Sequence, residues 1–202
     1  DESDSGFTDE HVIGNAVTMV FAGEDTTSNT VAWLLDFVAR HPQVAARMQA
    51  EADEVLDADR VLQDFGKLDQ FTYTEAATTE AMRLKPVVPL LEMAANMELI
   101  IGDVLVPKGT LIMFLLRHAG QQGANLPESH AFRPERWLAD ARVAVNDDPA
   151  RKLFPFGGGP RFCPGRYLAM TEIKMVMSMI ARNFNTKLDT EALPVRELFT
   201  FT

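Results

Sequence analysis

From Thr8 onward, apolar residues recur at helical spacing through Val12, Ile13, Ala16, Val17, Val20, Phe21, Val31, Leu34, Leu35 and Val38, and nothing stops the pattern before His41-Pro42. Thr8 can cap this helix, with Asp9 and Glu10 in the first turn, where the helix dipole favours acid. About 30 residues at the α-helical rise predict a rod of roughly 45 Å. It is apolar nearly all round at its centre, so it is expected to cross the interior. Pro42 predicts a second helix to about Leu56, with Arg47, Glu51 and Glu54 spaced for a solvated face. A polar loop containing Gly66 gives way to a third helix, from about Phe71 to Leu84, stopped by Pro86 and carrying Glu75, Glu80 and Arg83.

Between Glu92 and Leu116 the period changes. Leu99-Ile100-Ile101, Val104-Leu105-Val106 and Leu111-Ile112-Met113-Phe114 are short β-prone runs, separated by turns at Gly102-Asp103 and Pro107-Lys108-Gly109. They predict one small antiparallel sheet. Residues 117 to 153 show little periodicity, and a structureless stretch of that length is usually functional or pinned by something. Leu168, Ala169, Ile173, Val176, Met177 and Ile180 restore the helical period until Asn183-Phe184-Asn185, after which a β-prone piece closes the chain. The pattern reads as mainly α with a small antiparallel β region, an α+β chain without internal repeats. The missing Met at position 1 and the strand-like ending Leu198–Thr202 suggest one partial domain over residues 1–202, cut at both ends.

Composition narrows the function classes. A 202-residue chain that is 47% hydrophobic can bury a core. Its net charge of −10, with no basic run, argues against a nucleic-acid partner. No apolar run reaches membrane-spanning length. This suits a soluble, cytoplasmic protein, while a membrane-anchored form would carry its anchor upstream of Asp1. The single cysteine leaves no internal disulfide.

Three stretches carry candidate chemistry. Phe154-Pro155-Phe156-Gly157-Gly158-Gly159-Pro160-Arg161-Phe162-Cys163-Pro164-Gly165-Arg166 holds that cysteine. Three glycines between prolines form no ordinary helix or strand, and the helix that follows has Pro164 suited to its first turn. Cys163 thus sits beside a helix N-terminus, where free N–H groups favour negative charge, as a nucleophile or a metal ligand. In mid-helix, Ala22-Gly23-Glu24-Asp25-Thr26-Thr27 sets small residues before acid and hydroxyls, predicting a local bulge or kink. That hexapeptide is either a tolerated glycine among solvated polar residues or a groove in which Asp25 and Thr26 relay protons. Glu80 and Arg83 share a helical face, as an exposed pair worth little or, if buried, as part of a larger network.

Phe156-x-x-Gly159-x-Arg161-x-Cys163-x-Gly165 is similar to the haem-binding loop of the cytochrome P450 monooxygenases. Ala22-Gly23-x-Asp25-Thr26-Thr27, Glu80-x-x-Arg83 and Phe132-x-Pro134-Glu135-Arg136-Trp137 resemble other pieces of that family in the right chain order. The resemblance implies the C-terminal portion of that fold, from the long oxygen-binding helix to the helix after the haem-ligand loop. It makes Cys163 the axial thiolate on the iron of haem b, iron protoporphyrin IX. The glycines, with Gly159 and Gly165 at signature positions, let backbone approach the porphyrin. Phe156 limits water access, and Arg161 pairs with a propionate. Ala22 and Gly23 leave room for O2, to which Asp25 and Thr26 deliver protons. Glu80, Arg83 and Arg136 form a buried ion network that pins the segment ahead of the cysteine. The implied partners are a small apolar organic substrate, O2 and an electron-donor reductase, flavin reductase or ferredoxin.

Other readings weigh less. A lone cysteine is often inert packing, and His11, His41, His118 and His130 stand in no signature of a cysteine hydrolase. His118 and His130 read as surface loop residues. Met19, Val20 and Phe21 face either substrate or core, and the methionines of the last helix read as packing. Glu92 and Met93 fall in the strand region that commonly nears haem and substrate, where a carboxylate needs a partner or solvent. Two function classes follow: a monooxygenase, or an incomplete piece that holds no haem stably and is inactive alone.

Overall fold

The computed structural model describes residues 6–123, 126–138 and 155–189 together with Glu191, Val195 and Glu197. Its helices are α1 (Asp9–Arg40), α2 (Pro42–Leu56), α3 (Thr72–Leu84), α4 (Leu116–Gln121) and α5 (Arg166–Asn183). Its strands are β1 (Leu90–Ala94), β2 (Leu99–Ile101), β3 (Val104–Val106) and β4 (Leu111–Leu115). Among the described residues no helix is long and apolar enough to cross a membrane.

At the start of α1, the Thr8 hydroxyl accepts from the His11 amide at 3.3 Å and the Thr8 amide donates to His11 Nδ1 at 3.2 Å, a reciprocal cap. The main core forms where the C-terminal part of α1 (Leu34, Val38) meets α2 (Val44, Met48), α3 (Ala77, Ala81, Leu84) and α5 (Ile173, Met177). Phe132, from the loop after α4, closes it by stacking on Phe37 with ring centroids 4.6 Å apart. A satellite cluster of Ala52, Val55, Leu56, Leu62 and Phe71 lies under the α2–α3 connection.

The long apolar helix does not cross the interior along its length. Val12 is 58% exposed and Phe21 65%, and burial begins only near Thr30. The helix sunk in the protein is α3, whose Ala- and Thr-rich run Ala76-Ala77-Thr78 lets its neighbours approach closely and which buries even Glu80 and Arg83. Its N-terminus lacks a cap of its own. Glu51 supplies one from α2, accepting from the Tyr73 amide at 2.5 Å, the Thr74 amide at 2.8 Å and the Thr74 hydroxyl at 2.6 Å. Glu51 is therefore not on the solvated face that its spacing suggests.

The single sheet becomes two antiparallel pairs, one inside the other. Strand β1 pairs with β4, Leu90 opposite Leu115, and β2 with β3, Leu99 opposite Val106, joined by Gly102-Asp103. Gly102 takes a φ of 64°, which a turn of that length favours. Glu92 lies exposed on β1 opposite Met113, so its carboxylate has solvent.

The stretch after Arg117 is less bare than its sequence suggests, because α4 ends in it and Pro134–Trp137 forms a 3-10 turn. His118 belongs to the last turn of α4 rather than to a loop. Helix α5 begins at Arg166 with Gly165 as N-cap, so Pro164 precedes its first turn instead of lying in it. The strand-like ending Leu198–Thr202 lies outside the described residues.

Candidate functional site

The cysteine loop is closed by its own backbone. The Cys163 amide donates to the Phe156 carbonyl at 2.9 Å, and the Phe162 amide to Gly159 at 3.1 Å across a 3-10 turn, Gly159–Arg161. Gly157 and Gly159 have φ values of 72° and 62°, so side-chain-bearing residues would be strained at both. A Cβ on Gly157 would meet the Arg161 carbonyl at 3.6 Å, whereas one on Gly159 would meet nothing within 4 Å. The chain passes open space there with bare backbone. Gly165 lies under the sulfur, 3.8 Å from Sγ to an imagined Cβ. Phe156 and Cys163 are half-buried, and Arg161 is exposed with no ion pair among the described residues. The described residues include no group of three His, Cys, Asp or Glu able to hold a metal, so a metal here would rest on the one sulfur.

The middle of α1 has no bulge. Helical bonding runs unbroken through Ala22, Gly23, Asp25 and Thr26, because the hydroxyls bond back along the helix instead of competing with it. Thr26 Oγ1 donates to the Ala22 carbonyl at 2.6 Å, Ser28 Oγ to Glu24 at 2.7 Å and Thr30 Oγ1 to Thr26 at 2.7 Å. Gly23 faces open space, with nothing within 4 Å of a Cβ. Asp25 is exposed and Thr26 half-buried. Ala22, Gly23 and Thr26 make no hydrogen bond to the cysteine loop among the described residues. The two stretches share a scaffold instead, since α1 and α5 pack in one core through Leu34, Val38, Ile173 and Met177.

Glu80, Arg83 and Arg136 come together around a fully buried carboxylate. Glu80 Oε2 accepts from Arg83 Nε at 2.7 Å and Trp137 Nε1 at 2.8 Å. Its Oε1 accepts from Arg83 Nη2 at 2.8 Å, Arg136 Nε at 2.9 Å and the Arg133 amide at 2.9 Å. Arg83 spends its remaining donors on the carbonyls of Gly120, Ser129 and Ala131, and Arg136 on those of Pro127 and Glu128. Buried charges are tolerable only when satisfied this fully. No buried side-chain polar atom among the described residues lacks a partner. Gly120 must be small, because a Cβ would stand 2.9 Å from the Arg83 carbonyl.

Some of this site escapes the sequence. Trp137 and the Arg133 amide complete the brace, and the adjacent Glu135 forms another link. Its Oε1 accepts from Arg47 Nη1 at 2.6 Å and the Tyr73 hydroxyl at 2.9 Å, while Arg47 stacks on the Tyr73 ring at 3.9 Å. Burial, then the hydrogen bond to Glu135, pushes the Tyr73 phenol well above its usual range. Burial alone would raise the Glu135 carboxyl, but its backbone amide, Tyr73 and Arg47 together outweigh that and hold it low. Farther along, Glu197 bridges Lys85 at 2.5 Å and Arg117 at 2.6 Å. Only partners distant in sequence reveal these links. The adjacency of Trp137 to Arg136 is the one local signal.

A family model described as Cytochrome P450 matches residues 1–200. Human mitochondrial 25-hydroxyvitamin D-1 alpha hydroxylase is 33% identical over 188 residues, covering 93% of this chain and 36% of the relative. Cyclooctat-9-en-7-ol 5-monooxygenase of Streptomyces melanosporofaciens is 32% identical over 186 residues, 92% of this chain and 39% of the relative. Probable cytochrome P450 4d20 of Drosophila melanogaster is 36% identical over 183 residues, 89% and 34% respectively. The chain thus spans little more than a third of the length of the relatives it matches.

Proposed function

The chain belongs to the cytochrome P450 family, and from that premise we propose that it supplies the haem-holding and proton-delivering part of a haem-thiolate monooxygenase. The observation that carries this is the half-buried Cys163 thiol in a backbone-closed loop, with bare backbone at Gly159 and an exposed Arg161 guanidinium that makes no ion pair among the described residues. Those features fit an iron porphyrin. A single sulfur would supply one ligand to the iron, bare backbone at Gly159 would admit a flat macrocycle without a side chain in the way, and Arg161 would suit a propionate. Haem b, when bound, supplies reductive activation of dioxygen and transfer of one oxygen atom to substrate.

The chain's own residues do the rest. Cys163 Sγ ligates as the thiolate, and the Phe156 ring limits water at that face. On α1, Ala22 and Gly23 would leave space for O2. The Thr26 hydroxyl, whose proton points at the Ala22 carbonyl, keeps lone pairs with which to hold a water, and Asp25 is exposed to exchange protons with solvent. The Glu80–Arg83–Arg136 brace holds fold and loop and takes no part in the chemistry. Electrons come from a flavin reductase or a ferredoxin. The substrate is a small apolar organic molecule, the class to which the names of the hydroxylase and monooxygenase relatives point.

The test is the spectrum of the reduced, haem-loaded protein with carbon monoxide. A red-shifted thiolate band that vanishes in Cys163→Ala is expected, and its survival in that variant would overturn the ligand assignment. One observation favours a second reading, in which the 202 residues alone hold no haem stably: the apolar residues Val12 to Phe21 are exposed. Under it, gel filtration strips haem from this chain but not from a longer parent protein.

A further inference from the structure

Arg166 opens α5 just beyond Cys163 and has no part in the reading above. Its guanidinium lies 5.8 Å from the Phe156 ring centroid, 5.6 Å from Phe162 and 5.9 Å from Tyr167. Phe156 and Phe162 stand on the two arms of the cysteine loop, at the ends joined by the hydrogen bond from the Cys163 amide to the Phe156 carbonyl. Between the arms run glycines in left-handed conformations, one of them facing open space, and glycine loses the most freedom on being ordered. A contact outside the glycines would therefore reinforce the single backbone bond that closes the neck. A guanidinium is drawn to aromatic faces within about 6 Å, and its flat fork can lie against more than one ring. Arg166 is exposed and makes no ion pair among the described residues, so no carboxylate among them competes for it.

We infer that Arg166 is a positioning residue that clamps the two arms of the loop through Phe156 and Phe162, setting Cys163 in place before any cofactor binds. Its relevance to catalysis rests on the reading of Cys163 as iron ligand, whereas the clamp is a property of the chain itself. Amide hydrogen exchange on the 202-residue protein without haem tests it. Arg166→Gln should speed exchange at the Cys163 amide about tenfold and leave the α3 core amide of Ala77 unchanged. Arg166→Lys, which keeps the charge but loses the flat fork, should recover only part of the protection. In a Phe156→Leu, Phe162→Leu background, Arg166→Gln should add almost nothing, the sign of a shared interaction. Unchanged exchange at Cys163, equal acceleration at Ala77, full rescue by lysine or strict additivity would each overturn the clamp. None of these measurements involves haem. Survival of the carbon monoxide band in Cys163→Ala with the exchange effect intact removes the ligand reading alone, and a band that depends on Cys163 with no exchange effect removes the clamp alone.

Discussion

The Glu80 brace and the cysteine loop, some 80 residues apart in sequence, are built on opposite principles. In the brace every buried donor and acceptor is matched within the chain, down to the carbonyls that Arg83 and Arg136 reach. Around Cys163 and along the first half of α1 the contacts stop short. Arg161 is unpaired among the described residues, Gly159 and Gly23 face open space, and Phe21 is exposed. Residues that complete one another fix structure. Residues left open in a defined backbone are the ones available to something else, which supports the ligand role proposed for Cys163 and the supporting role proposed for Glu80.

Breaking the brace should have the largest effect. Glu80→Ala strands two buried guanidinium groups, and removing one partner of a buried pair costs about 3–5 kcal/mol, a large part of a typical stability of about 5–15 kcal/mol. Urea unfolding should show a protein on the edge of folding. If Glu80→Ala lost less than surface variants do, the brace would not be the support described. Cys163→Ala sharpens the contrast from the other side, leaving the unfolding midpoint nearly unmoved while abolishing the thiolate spectrum.

A second tier tests supports that the sequence hides. Glu51→Ala removes the cap from α3 and leaves the Tyr73 and Thr74 amides unpartnered, at about 1–3 kcal/mol. Gly120→Ala drives a methyl against the Arg83 carbonyl and should cost about 1–3 kcal/mol. Gly123→Ala, where a Cβ would meet only Ser129 Oγ at 4.0 Å, is the control expected to be mild. Equal losses for the two glycines would show that the close approach at Gly120 relaxes.

What was legible in the sequence follows the same division. Helix limits came from local signals, so Pro42–Leu56 was readable to the residue and α3 to within one. Apolar density misled at α1, because hydropathy states what a helix would bury and not whether this chain supplies the cover. At α3 the local pattern leaves the choice open, since alanine, threonine and a salt bridge suit either an exposed or a closely packed face. Glu51 reads as a surface charge and the link at Glu135 leaves no local sign, because their partners at Tyr73 and Thr74, and at Arg47 and Tyr73, are dozens of residues away in sequence. The bulge expected at Gly23 failed for a chemical reason: hydroxyls four residues along can bond to a helical carbonyl without breaking its ladder.

The smaller link at Glu135 should appear in the pH dependence of stability. Its carboxyl titrates lower in the folded protein, so its contribution is present above the unfolded carboxylate range near about 4.3 and fades as pH falls through the lower folded value. Tyr73 works at the other end. Its folded phenol titrates higher, so its contribution is complete below the unfolded value of about 10 and fades as pH rises above it. Unfolding free energies in Glu135→Gln should lose the acid-side slope, and in Tyr73→Phe the alkaline-side slope. If both slopes persisted, the link would be geometric only.

Thr26→Val should have the smallest effect on stability and bears most on the open side. The helix keeps its ladder, since the Thr26 hydroxyl only adds a second donor to the Ala22 carbonyl. Its loss should therefore change the unfolding free energy by about 0.5 kcal/mol or less, the range of substitutions away from special features. If Thr26 holds a proton-delivering water as proposed, however, the haem-loaded enzyme loses that hydroxyl. Electrons consumed per molecule of product should rise several-fold at unchanged substrate affinity, and Thr26→Ser should restore the ratio. A valine variant as tightly coupled as the parent would make Thr26 another helix residue satisfied by its own carbonyl, and would leave Asp25 to carry the proton route.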